Sequence, residues 1–138
     1  MKLILCLDDH NGMFFCGRRQ SSDRLVTAHI LQTCEGQNLW MNSYSKKLFK
    51  DAKNTLVSEQ FLQLAGEDDF VFAENADVVQ LLPQVRMLII YRWNRVYPSD
   101  VKIHGQFPPI GWVCLNKVAF AGYSHEKITQ EVYIRETE

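Results

Sequence analysis

Residues 86–93 read RMLIIYRW, with five apolar or aromatic positions in succession, Met87 to Tyr91, between two arginines. Apolar and polar residues do not alternate inside that run. It predicts a strand covered on both faces, the kind found inside a parallel sheet. Residues 2–7, KLILCL, have the same character and stop at the turn-forming run Asp8-Asp9-His10-Asn11-Gly12. Strands covered on both faces need helices above and below them, so an α/β architecture is expected.

The rest of the chain supplies those helices. A helix fits from about Ser22 to Thr33, with Ser21 or Ser22 as its N-cap and Gly36 as its stop. Residues 13–21 read as a loop. Residues 38–42 make a short strand, and a second helix runs from Ser43 to about Phe49. Residues 50–54 are polar and read as loop. Ser58-Glu59 open an amphipathic helix that ends at Gly66. Residues 70–73, FVFA, are a strand, and residues 78–82 a helix stopped near Pro83. Residues 102–104 form a short edge strand. Residues 112–120 and 128–134 form an antiparallel hairpin. The pattern predicts one domain over residues 1–138, with a mostly parallel central sheet, helices on both faces and an antiparallel C-terminal hairpin. In such sheets ligands sit at the carboxyl ends of the strands. Asp8-Asp9, Asn42-Ser43, Glu74-Asn75 and Arg92-Trp93 are therefore expected around one cleft.

Composition narrows the function. The chain of 138 residues is long enough for one core, is 46% hydrophobic and 22% charged, and carries a formal net charge of −1. That balance gives no global attraction to nucleic acid or to an anionic membrane. The apolar run at Leu3–Leu7 is too short for a signal-peptide core or a membrane span, so a cytoplasmic location is expected. Cys6, Cys16, Cys34 and Cys114 show no C-x-x-C spacing and are expected to be reduced and mostly buried. His10, His29, His104 and His125 stand alone, without H-E-x-x-H or H-x-H-x-D-H, and Asp8, Asp9 and His10 are adjacent rather than spaced as ligands. No metal site is expected.

Asp23 is the first candidate for chemistry. As a partly buried carboxyl it would have a raised pKa and could act as a proton donor. In the plainer reading it favours a helix N-terminus and is bridged by Arg18, Arg19 or Arg24. These arginines, with Ser21 and Ser22, also make a candidate anion site. Ser43, Tyr44 and Ser45 open a helix after a strand, as phosphate-binding or simple capping residues do. His125 and Glu126 make a candidate acid/base pair with Ser124, and no triad can be assigned from spacing. Arg92, Trp93, Asn94 and Arg95 mix aromatic and basic residues in the manner of single-strand binders, a reading the charge balance disfavours.

Taken in order, these segments resemble the dihydrofolate reductase family. The strand LILCL and the turn at Gly12-Met13 resemble its first strand and mobile active-site loop. Asp23, eleven residues after Gly12, falls where that family keeps its catalytic carboxylate. LWMNSYSKKLF resembles its strand and phosphate-binding helix. FVFAEN, a helix and RMLIIYRW resemble its strand, cofactor loop, helix and strand. Phe107-Pro108 and Trp112 resemble its landmarks before the closing hairpin. The resemblance implies an NADPH-dependent reductase of a pterin or related heterocycle. In it Asp23 would be the acid, and Gly12, Ser43, Tyr44, Ser45, Glu74 and Asn75 would lie on the cofactor side. Met13, Phe14, Arg18 and Arg19 would lie on the substrate side.

The chain also departs from that pattern. The family's paired glycines become Glu74-Asn75, and a carboxylate there repels a diphosphate. The family's arginine for the folate tail aligns with Ala52, and the threonine that partners its carboxylate aligns roughly with Ile90. Arg18-Arg19 stand near its tryptophan position. These departures imply a second function: a non-catalytic descendant of the fold that binds a nucleotide or a protein.

Overall fold

The computed structural model describes residues 1–136. Its centre is the pair of strands that the apolar runs predict. β1 (Lys2–Leu7) and β7 (Met87–Arg92) lie side by side and parallel. β6 (Phe70–Phe72) flanks β1 on the other side, and β4 (Leu39–Met41) and β5 (Thr55–Val57) follow, all parallel. Beyond β7 the sheet turns antiparallel through β10 (Ile128–Arg135) and β9 (Trp112–Phe120). The seven strands run β5-β4-β6-β1-β7-β10-β9.

Side-chain alternation divides the core into two layers, because successive residues of a strand point to opposite faces. Leu3, Leu5, Leu7, Leu88 and Ile90 face one way, onto α3 (Phe61–Leu64) and α4 (Val78–Leu81). Ile4, Ile89 and Tyr91 face the other way, onto Val26 and Ile30 of α1 (Arg24–Thr33) and onto Phe49. α2 (Ser43–Lys46) continues as a 3-10 turn to Phe49 and closes one end of this second layer. Burial on both faces is what removed alternation from the β1 and β7 sequences.

Five local expectations change. Residues 13–21 are not a loop: β2 (Gly12–Phe15) and β3 (Arg18–Arg19) form a hairpin, joined by β8 (Val101–Lys102) into a separate three-stranded sheet. The turn Cys16-Gly17 has φ of 52° and 74°, the left-handed pair that closes a two-residue hairpin. The expected edge strand at 102–104 is this β8, one residue earlier and outside the main sheet. β5 occupies Thr55–Val57, and the helix expected from Ser58-Glu59 begins only at Phe61. The N-cap of α1 is Asp23, whose carboxylate accepts the Leu25 N–H, and not Ser21 or Ser22. The four cysteines are free, but Cys16 and Cys114 are exposed rather than buried. Among the described residues no helix is long and apolar enough to cross a membrane.

Candidate functional site

Asp23 stands at the carboxyl-end side of the sheet, 4% exposed, where α1 begins. The Asp23 carboxylate is saturated with donors. Oδ1 accepts the N–H groups of Leu25 and Tyr123, each at 2.9 Å. Oδ2 accepts the Ser124 N–H at 2.9 Å and the Ser124 hydroxyl at 3.2 Å, and lies 2.8 Å from His125 Nδ1. Burial alone would raise the pKa. The bonds from Tyr123, His125, Ser124 and Leu25 outweigh burial and hold this carboxyl well below the usual carboxylate range. The expected raised pKa is thus reversed: so many donors favour the charged form. None of Arg18, Arg19 or Arg24 bridges Asp23. Arg18 is exposed, Arg24 lies over the Tyr123 ring at 4.6 Å, and Arg19 turns to Glu74.

His125, which the sequence offers as half of an acid/base pair with Glu126, takes Asp23 as its carboxylate partner. It is 6% exposed and stacks on Trp93 with ring centroids 4.7 Å apart. Its Nδ1 faces Asp23, and its Nε2 lies 2.9 Å from the Ser21 hydroxyl and 3.1 Å from the Tyr97 hydroxyl. Glu126, its expected partner, is exposed, whereas the Ser124 hydroxyl lies 3.3 Å from His125 Nδ1 and also reaches Asp23. Trp93 is 4% exposed and Arg92 bonds Glu131 and Asn11, so this pair does not form an open stacking platform for bases.

A second cluster closes the neighbouring part of the cleft. Glu74 follows β6 and its carboxylate takes two parallel N–H bonds from Arg19, at 2.7 and 3.0 Å. The Ser45 hydroxyl donates to the same carboxylate at 2.8 Å. The Arg19 guanidinium also lies over the Tyr44 ring at 4.3 Å, and the Tyr44 hydroxyl accepts the Arg19 N–H at 3.2 Å. Thus Arg19, Tyr44, Ser45 and Glu74 come together. Ser43 is exposed and its hydroxyl donates to Glu59, and Asn75 is exposed on the far side. Met13 and Phe14 are each 5% exposed, and Phe14 meets Tyr44 edge-on at 5.4 Å. Gly12 is buried, and a Cβ there would come within 2.5 Å of the Gln20 amide.

Asp8 fastens the β2–β3 hairpin to the sheet. Its buried carboxylate accepts the N–H groups of His10, Gly12 and Tyr97 and the Gln20 side-chain amide. Among the described residues no three His, Cys, Asp or Glu side chains gather into a metal-ligand set.

Between these clusters the space is small. The cavity beside Asp23, lined by Cys6, Ser21, Val26, Phe49 and Trp93, measures about 20 Å³, room for one water. Next to it lies an open groove of about 940 Å³ between α1, the Lys47–Ala52 segment and Tyr123-Ser124. Three cations, Arg24, Lys47 and Lys50, line it against the acids Asp23 and Asp51.

A mostly parallel sheet with an antiparallel end, and polar side chains gathered at its carboxyl edge, defines an α/β protein. More particularly, the chain has a dihydrofolate reductase-like fold. It superimposes on a solved dihydrofolate reductase from Enterococcus faecalis, complexed with NADP(H) and RAB-propyl. The TM-score is 0.66 and the identity 12%, over 99% of this chain and 96% of that one. No protein-family profile matches the sequence. No curated protein matches it either.

Proposed function

We propose that this chain is a ligand-binding member of the fold that does not carry out NADPH-dependent hydride transfer. Its ligand is a small anionic heterocycle or nucleotide seated in the open groove. One observation carries the reading: Glu74, which the resemblance sets where that family has paired glycines, has its carboxylate committed to Arg19 and Ser45. A dinucleotide diphosphate at that position meets a side chain already paired with Arg19 in place of an open glycine backbone, so these residues do not fit the cofactor. Asp23 supports the same reading. As a reductase acid it must carry a proton, whereas five donors hold it ionised.

The groove has the volume of a small-molecule site. Arg24, Lys47 and Lys50 attract a carboxylate or phosphate, and Tyr123 offers an aromatic face. The four free thiols suit a reducing cytoplasm. The 138 residues act as one domain in this reading. A reductase remains the second reading, because Asp23 is a buried carboxyl at the cleft, as the resemblance requires.

Calorimetric titration tests both. NADPH is expected to show no binding to wild type at millimolar concentration, and GMP is expected to bind. Lys47→Ala and Arg24→Ala should each weaken the GMP interaction. Micromolar NADPH binding by wild type, with turnover lost in Asp23→Asn, would establish the reductase and overturn the proposal.

A further inference from the structure

Ser21, His125 and Asp23 lie in one hydrogen-bonded line. The Ser21 hydroxyl is 2.9 Å from His125 Nε2, and His125 Nδ1 is 2.8 Å from Asp23 Oδ2. This is the order of nucleophile, base and orienting carboxylate that activates a serine, a constellation recognised by geometry rather than by sequence position. We propose that Ser21 is a nucleophile that takes a short acyl group from an activated ester, with His125 as its general base. This goes beyond ligand binding in the groove and holds whether or not the groove takes a nucleotide.

Three features support the assignment. Asp23 receives N–H bonds from Leu25, Tyr123 and Ser124, so its carboxylate is fixed and ionised before it meets the imidazole. That makes Nδ1 the protonated nitrogen and leaves Nε2 as the acceptor facing Ser21. Stacking on Trp93 fixes the plane of the ring. Asp23 is then a positioning residue, since it acts on the serine only through His125.

The surroundings set the substrate class. Ser21 lines two adjoining small cavities. One is walled by Val26, Ile30, Phe49, Phe72 and Trp93; with room for a single water-sized group, it suits the methyl of an acetyl group and nothing longer. The other is lined by Gln20, whose buried Oε1 has no hydrogen-bond partner among the described residues and can accept an N–H or O–H. The Tyr97 hydroxyl, 3.1 Å from Nε2, shares that nitrogen's one lone pair with Ser21 and can accept the hydrogen bond of the Nε2 proton once the serine has given it up.

In the step itself, Ser21 Oγ bonds to the ester carbonyl carbon as its proton passes to Nε2. The carbon–oxygen bond to the leaving group then breaks, and the Nε2 proton goes to that alkoxide. Water repeats the sequence on the acyl-serine, releasing a carboxylic acid and restoring the hydroxyl.

The test uses p-nitrophenyl acetate and an alkyl fluorophosphonate, read by nitrophenol release and by intact mass. Wild type is expected to release nitrophenol and to gain one fluorophosphonate adduct, located at Ser21 by peptide mapping. Ser21→Ala should lose both while keeping its melting temperature. His125→Gln should slow acylation on the order of 100-fold or more. Ser21→Cys, which restores a nucleophile at the same position, should recover an acetyl adduct. No adduct on wild type, or an adduct that persists in Ser21→Ala, overturns the proposal.

Discussion

Arg19 and Glu74, 55 residues apart, meet through two parallel N–H···O bonds across the mouth of the cleft. Arg19 belongs to the β2–β3 hairpin and Glu74 to the turn after β6, so the pair ties the small sheet to the large one. The side chains are only 20% and 9% exposed. At that depth, removal of one partner leaves the other charge poorly solvated.

Glu74→Ala is therefore expected to cost about 2 kcal/mol, less than a fully buried pair because Arg19 keeps some contact with water. Urea unfolding of wild type, Glu74→Ala, Arg19→Ala and the double variant measures it. A double variant no worse than either single variant is the expected signature of a direct pair. Additive losses would show that the two residues act separately.

Asp23 gives the stability of the protein a direction in pH. Its folded pKa lies below the unfolded value of about 3.9, so folding binds fewer protons than unfolding at acid pH. The stabilisation is complete above about pH 5 and is lost as pH falls through the ordinary carboxylate range toward the folded pKa. Asp8 and Asp69 are lowered too and act in the same direction. In Asp23→Asn the loss at neutral pH is expected to be about 2–3 kcal/mol. The gap between the two proteins should narrow on acidification below pH 4, as followed by urea midpoints at a series of pH values. A gap independent of pH would mean that the carboxylate charge does not contribute.

How far these contacts are visible in the sequence depends on their range. Met87–Tyr91 and Leu3–Leu7 reveal the sheet because burial on both faces erases alternation, and a run of that kind is local. The β2–β3 hairpin is less visible. Its turn is Cys16-Gly17, and a cysteine at a left-handed position is not a turn signal that residue preference supplies. β5 escapes notice because it is a mostly exposed edge strand, Thr55-Leu56-Val57, set between polar residues, whereas the equally short β4 and β6 are mostly buried and apolar. In the site, Glu74 stands out as an acid where the resemblance requires glycine, yet nothing near it names Arg19. Ser21 and Asp23 are two residues apart and visible together. His125 reaches them from 102 residues away, and only the closing hairpin brings it there.

Asp8 should prove as important to the hairpin as any apolar contact. Asp8→Ala removes the acceptor for the His10, Gly12 and Tyr97 N–H groups and for the Gln20 amide. With several buried donors left unpaired, the expected loss is about 3 kcal/mol. Amide exchange should quicken most at Gly12 and Tyr97, and an even increase across the chain would show global rather than local loosening.

Gly122 offers the most selective perturbation of the serine line, since it touches neither Ser21 nor the His125 ring nitrogens. A Cβ there would lie 2.6 Å from Asp23 Oδ2 and 2.9 Å from the His125 carbonyl oxygen, closer than side chains approach. Gly122→Ala must push the carboxylate or the turn aside, at about 1–3 kcal/mol. Because Asp23 orients the imidazole, the same push should rotate Nε2 away from Ser21 and slow acylation at least tenfold. Gly36→Ala is the comparison. Gly36 has φ of 78° and no atom within 4 Å of an added Cβ, so that variant meets backbone strain without a clash, about 1 kcal/mol. It should melt lower while acylating at the wild-type rate. If both variants acylate alike, the carboxylate does not set the ring's aim. If only Gly122→Ala is slow, the Asp23–His125 contact governs the serine.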